Sequence, residues 1–72
     1  MFDFLKSSKH AGLDAIVQRI HMNMENNYKD AAQMNLAELE ELYLQLKEAG
    51  KLNDKQKQNY ESVIDSLKIR MK

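Results

Sequence analysis

The sequence predicts an all-α protein: either a small three-helix bundle or one long helix packed on an antiparallel helical hairpin, completed by homodimerisation. The 72 residues contain no proline and two glycines, the residues that most strongly interrupt helices. Apolar residues recur at spacings of three and four along most of the chain, which is the helical period. A chain of this length has room for a single domain, residues 1–72, with a thin core.

The first predicted helix, helix A, covers residues 8–34. A serine at position 7 or 8 can cap its first turn, because a hydroxyl oxygen accepts from the free N–H groups there. Asn26 and Asn27 weaken helix propensity midway, so a bend there is one option. The other option is a straight helix that breaks near Met34–Asn35, where the apolar stripe is lost. The stripe of helix A consists of Leu13, Ile16, Val17, Ile20, Met24, Tyr28 and Ala31.

Helix B is predicted over residues 36–49. Asn35 followed by Glu38 is a variant of the capping box, in which two side chains satisfy free N–H groups at a helix start. Gly50 is expected to end the helix, because glycine adopts the left-handed conformation of a C-terminal cap without strain. The stripe of helix B consists of Leu36, Leu39, Leu42, Tyr43, Leu46 and Ala49.

Helix C is predicted over residues 54–71. Asn53 and Gln56 repeat the capping-box spacing at its start. The link between helices B and C is only four residues long, so we expect the two helices to form an antiparallel hairpin. The stripe of helix C consists of Tyr60, Val63, Ile64, Leu67 and Met71.

The predicted helix lengths do not match, and this mismatch is the reason for expecting a homodimer. Helix A would be roughly 38 Å long, against about 21 and 27 Å for helices B and C. A straight helix A would keep an uncovered apolar stretch between Leu13 and Tyr28, which a second copy could bury. The chain has no cysteine for disulfides, so self-association is the expected source of extra stability. A bent helix A that closes a monomeric bundle is the alternative.

The N-terminal segment, residues 1–7, is expected to fold back as a strap over the core, within or between subunits. It contains two phenylalanines and a leucine, and Met22, Leu44 and Ile69 lie off the stripes of the helices. Single exposed aliphatic side chains are ordinary, so these residues matter only if they lie together. The candidate interaction surface is Phe2, Phe4, Leu5, Met22, Leu44 and Ile69.

Catalysis and metal binding are not expected from this sequence. His10 with Asp14, and His21 with Glu25, place an imidazole and a carboxylate one helical turn apart, but no third or fourth ligand is visible nearby. The chain has no cysteine nucleophile and no glycine-rich phosphate loop. We therefore expect no enzyme activity, no cofactor and no metal site.

The leading interpretation of the function is a non-enzymatic helical protein–protein interaction module, whose first partner is itself and whose second is another helical protein. Eleven basic and eleven acidic residues balance, so no overall charge draws the chain to phosphate backbones. No apolar run approaches the roughly 20 residues that span a bilayer, and no signal peptide is visible, so we expect a cytoplasmic location.

Two alternative functions belong to different classes. A membrane-surface regulator would use residues 1–6 as an anchor, because phenylalanines followed by lysines suit a lipid interface. A small nucleic-acid-associated regulator would use the basic side chains of helix C. These are Lys55, Lys57, Lys68, Arg70 and Lys72.

The expected absence of a metal site can be tested by thermal unfolding. Melting curves recorded with excess Zn²⁺, with excess Ni²⁺ and with a chelator should superimpose, because a ligand specific for the native state would raise the midpoint. An upward shift with metal that disappears in His10→Ala or His21→Ala would contradict this expectation.

Overall fold

The chain folds as three helices in a computed structural model, which describes residues 8–71. They are α1 (Ala11–Glu25), α2 (Lys29–Glu48) and α3 (Asp54–Arg70), and residues 8–71 contain no strand. Short turns make neighbouring helices antiparallel, so the prediction of a small all-α, three-helix bundle is confirmed. Within residues 8–71 no helix is long and apolar enough to cross a membrane.

The start of α1 is capped by His10. Its Nδ1 accepts from the backbone N–H groups of Gly12 and Leu13, at 3.2 and 3.4 Å. The cap predicted at Ser8 is therefore wrong, and Ser7 lies outside the described residues. Ser8 instead contributes its backbone carbonyl, which accepts from the Asn59 side chain of α3 at 2.7 Å.

Helix α1 ends in a turn closed by Asn27, whose φ of 63° lies in the left-handed region that asparagine tolerates better than most residues. The backbone N–H of Tyr28 donates to the carbonyl of Asn23 at 2.7 Å, and that of Asn27 donates to Met24 at 3.2 Å. This pair of bonds around a left-handed residue is the Schellman motif, which satisfies the last free carbonyls of a helix.

The turn corrects the predicted extent of helices A and B. A continuous helix over residues 8–34 with a break near Met34–Asn35 is wrong, because the chain reverses at Asn26–Asn27 and is helical again from Lys29. Asn35 lies inside α2 and does not cap a helix. Its side chain accepts from Asn23 of α1 at 2.7 Å and donates to Glu38 at 3.0 Å, so the apparent capping box belongs to a bridge between helices.

Gly50 closes α2 with the same motif as Asn27. Its φ is 70°, and the backbone N–H groups of Lys51 and Gly50 donate to Leu46 and Lys47 at 2.9 and 3.1 Å. The predicted end of helix B at Gly50 is therefore confirmed, and the short link makes α2 and α3 antiparallel neighbours.

The predicted capping box of helix C is confirmed. The Asn53 side chain accepts from the backbone N–H of Gln56 at 2.8 Å, and the Gln56 side chain accepts from that of Asn53 at 2.9 Å. Helix α3 ends at Arg70, one residue before the predicted end.

Tyr60 of α3 ties the start of α1 to the rest of the bundle. Its side chain is buried, and its hydroxyl accepts from the backbone N–H of His10 at 2.8 Å and donates to the Asp14 carboxylate. The Gln56 side chain adds a bond to the carbonyl of Lys9 at 2.7 Å. Polar contacts therefore secure α1 to α3, alongside the apolar core.

The core is formed within one chain. Leu13, Ile16 and Ile20 of the predicted helix A stripe are buried in the core, and Val17 and Met24 pack against it. The argument that this stripe would stay uncovered and require a second copy is therefore wrong. Two residues that were predicted to be buried are exposed, Tyr28 with 62% of its surface and Ala49. Ala32 is buried, where Ala31 was predicted. The buried apolar residues are Leu13, Ile16, Ile20, Ala32, Leu36, Leu39, Tyr43, Leu52, Tyr60, Ile64 and Leu67.

Replacing Gly50 by valine should lower the free energy of unfolding by more than about 1 kcal/mol, because a β-branched residue resists positive φ. A Cβ at Gly50 would meet no atom within 4 Å, so the loss would report backbone strain and not a clash. Chemical denaturation measures the effect, and Gly50→Asn is the control, because asparagine tolerates this conformation. Equal unfolding of Gly50→Val and the unmodified chain would show that the turn assignment is wrong.

Candidate interaction surface

A groove between α2 and α3, here the α2–α3 groove, is the clearest surface feature that side chains of both helices build together. Its volume is about 390 Å³, and it is shallow and open to solvent. Leu44 lies in it with 52% of its surface exposed. The lining residues are Glu40, Tyr43, Leu44, Glu61, Ile64, Asp65 and Lys68.

The floor of the groove is a buried tyrosine bonded to a carboxylate. The Tyr43 hydroxyl donates to Glu61 and lies 3.4 Å from the carbonyl of Lys57. The pKa of Tyr43 is raised to about 12, first by burial and then by the hydrogen bond to Glu61 and by the negative charge of that carboxylate. Glu61 thus lies at the groove with its carboxylate bonded to the Tyr43 hydroxyl.

The rim of the groove carries more negative than positive charge. Glu40 and Lys68 form an ion pair at 2.6 Å, and the hydrogen bond to Glu40 raises the pKa of Lys68. Asp65 forms no ion pair within residues 8–71. Three carboxylates, counting Glu61, against the Lys68 ammonium leave two negative charges among the lining residues around an exposed leucine. The Lys47 ammonium lies nearby, 6.0 Å from the centre of the Tyr43 ring. Such a surface suits a partner with aliphatic and basic side chains.

The structure brings together some of the predicted surface residues and separates others. Ile69 is 70% exposed and lies one helical turn after Asp65, a lining residue of the groove, but Ile69 itself does not line the groove that contains Leu44. Met22 is exposed on α1, which contributes no residue to this groove. The predicted residues Phe2, Phe4 and Leu5, with the strap over residues 1–7, lie outside the described residues.

The α1–α2 turn exposes apolar side chains that the sequence reading missed. Tyr28 is 62% exposed there, because the chain reverses where helix A was expected to continue, and Met34 is 70% exposed further along α2. A neighbouring cavity of about 120 Å³ is well below the roughly 300–1,000 Å³ of small-molecule sites. It is lined by Met24, Lys29, Ala32, Gln33, Arg70 and Met71.

The two histidine–carboxylate pairs take different roles in the structure. His10 caps α1 through Nδ1, and the Asp14 carboxylate accepts a hydrogen bond from the Tyr60 hydroxyl. Both side chains therefore make contacts that stabilise the fold. His21 and Glu25 are exposed on α1. Across residues 8–71, no three histidine, aspartate or glutamate side chains are grouped as metal ligands.

Comparisons with protein-family models, with curated proteins and with solved structures give no match to this chain. Any functional argument therefore depends on the surface of the bundle and on its residues.

High pH should destabilise the bundle through its two buried tyrosines. The pKa of Tyr60, like that of Tyr43, is raised to about 12, first by burial and then by the hydrogen bond to Asp14. Folding therefore favours the neutral phenols, and this stability is present below pH 10 and lost between pH 10 and 12. Each tyrosine contributes on the order of 2 kcal/mol.

Denaturant unfolding at a series of pH values tests this prediction. Tyr43→Phe and Tyr60→Phe should each flatten the loss of stability above pH 10, because phenylalanine cannot ionise. If both variants lose stability with the same slope as the unmodified chain, the burial of these hydroxyls is not the cause.

Proposed function

We propose that the protein is a non-enzymatic helical protein–protein interaction module that self-associates. The observation that supports this function best is the half-exposed Leu44 in the acidic α2–α3 groove, with the exposed Ile69 one helical turn beyond its lining residue Asp65. A single exposed leucine has no significance alone. Two large aliphatic side chains on adjacent helices, with carboxylates that select the partner's charge, form a recognisable docking surface.

The energetics favour a weak and concentration-dependent contact. Complete burial of a leucine or isoleucine side chain contributes about 1.5–3 kcal/mol, so two such residues support modest affinity only. The chain has a formal net charge of zero, so two copies approach without overall repulsion. A second copy is therefore the first partner in this proposal, and another helical protein is the second.

The alternative of nucleic-acid binding is less well supported than self-association, because two of its basic side chains already form ion pairs. Lys57 and Lys68 pair with Asp54 and Glu40, at 3.5 and 2.6 Å, so a phosphate backbone would compete with these carboxylates. The membrane alternative depends on residues 1–6, which lie outside the described residues. The cytoplasmic location also stays a prediction from the sequence.

Self-association through Leu44 can be tested by sedimentation equilibrium over a wide range of protein concentration. The unmodified chain should show a weight-average mass that rises with concentration, whereas Leu44→Ser should keep the monomer mass to several-fold higher concentration. Met34→Ser is the matched control, because Met34 is 70% exposed on the same helix and lines no part of the groove.

Two results would contradict the proposal. The first is a monomer mass for the unmodified chain at every concentration up to the high micromolar range. The second is an equal effect of Leu44→Ser and Met34→Ser, which would show that the groove is not the contact. Circular dichroism of both variants checks that the helices are intact.

A further inference from the structure

The C-terminal turn of α3, residues 68–71, has the side chains that the α2–α3 groove would select. Ile69 is 70% exposed, and Arg70 is exposed and forms no ion pair with any group in residues 8–71. Within the described residues, this turn therefore presents an aliphatic side chain next to a cation that forms no ion pair. The groove presents an aliphatic side chain, Leu44, and the Asp65 carboxylate, which forms no ion pair within residues 8–71 but acts electrostatically on Lys68 one helical turn away.

We infer that the α2–α3 groove of one copy binds the C-terminal turn of α3 from a second copy. Arg70 of one copy pairs with Asp65 of the other, and Ile69 packs against Leu44. A guanidinium suits this role, because its planar donors match the two oxygens of a carboxylate. This inference rests on the proposed self-association and names the surfaces that meet.

The pairing of Arg70 with Asp65 has to occur between copies. The two residues are five positions apart on one helix, so their side chains point roughly 140° apart around its axis. Arg70 also lines the small cavity beside the α1–α2 turn, together with Lys29 and Gln33 of α2. Within its own chain Arg70 therefore lies beside this cavity and is not among the residues that line the α2–α3 groove.

Charge complementarity argues against other occupants of the groove. An acidic helix or a phosphate backbone would be repelled by the two excess negative charges. An apolar helix without cations would remove the Asp65 carboxylate from water and leave it without a partner, which is costly. A basic and aliphatic helix end avoids both penalties, and the chain itself supplies one.

A charge-reversal cycle on the full chain tests the inference. The association constant is measured by sedimentation equilibrium for Asp65→Lys, for Arg70→Glu and for the double variant. Each single variant should weaken association by about 5- to 10-fold, because one attraction becomes a repulsion. The double variant should return to within about 2-fold of the unmodified chain, since the pair is attractive again with its signs exchanged.

Two single variants elsewhere match the changes in net charge. Glu25→Lys adds the same charge as Asp65→Lys, and Lys51→Glu removes the same charge as Arg70→Glu. Neither Glu25 nor Lys51 lines the groove or forms an ion pair within residues 8–71. Both controls should change association by less than about 2-fold, because they do not lie in the contact.

The outcomes separate this inference from the proposed function. If Leu44→Ser abolishes association while Asp65→Lys and Arg70→Glu behave like their controls, the groove is an interface but the C-terminal turn is not its occupant. Single variants that weaken association without recovery in the double variant also overturn the pairing. If the unmodified chain is a monomer at every concentration, both the inference and self-association fail.

Discussion

The reversal of the chain at Asn27 is the constraint on which the rest of the bundle depends. Without it α1 and α2 would form one continuous helix, with half of its apolar stripe uncovered. The left-handed backbone at this residue and the two bonds that close the helix end allow α1 to fold back along α2. Leu13, Ile16 and Ile20 are then buried in the same chain. A monomer can therefore form a core that the sequence reading assigned to two copies.

This reversal also decides which surface is left for a partner. Once α1 packs on α2, the polar contacts of Tyr60 with His10 and Asp14 secure the start of α1 against α3. The groove between α2 and α3 is built without α1, and Leu44 stays half exposed in it. The predicted contact between copies therefore involves the outer surface of a closed bundle and not an uncovered helix. The affinity expected between two copies is lower as a result.

The sequence predicts a turn well where two independent features of the sequence indicate the same helix end. Gly50, Asn53 and Gln56 mark the turn between α2 and α3 by backbone freedom and by reciprocal capping, and both are present in the structure. Asn35 with Glu38 has the same spacing but no adjacent helix end, and its side chain bonds to α1 instead. A capping pattern shows that a helix can start there. Tertiary contacts decide whether it does.

The candidate site was predictable only in part, for a related reason. Leu44 and Ile69 were identified from their positions off the stripes, because helical periodicity alone specifies which residues face away from a core. The carboxylates that surround Leu44 come from both α2 and α3, and the alignment of these helices depends on packing, so the acidic groove could not be predicted. An exposed aliphatic residue such as Leu44 indicates a binding surface only when it lies in a groove of this kind. The carboxylates that keep the groove hydrated in the monomer also make it favour a partner with basic side chains.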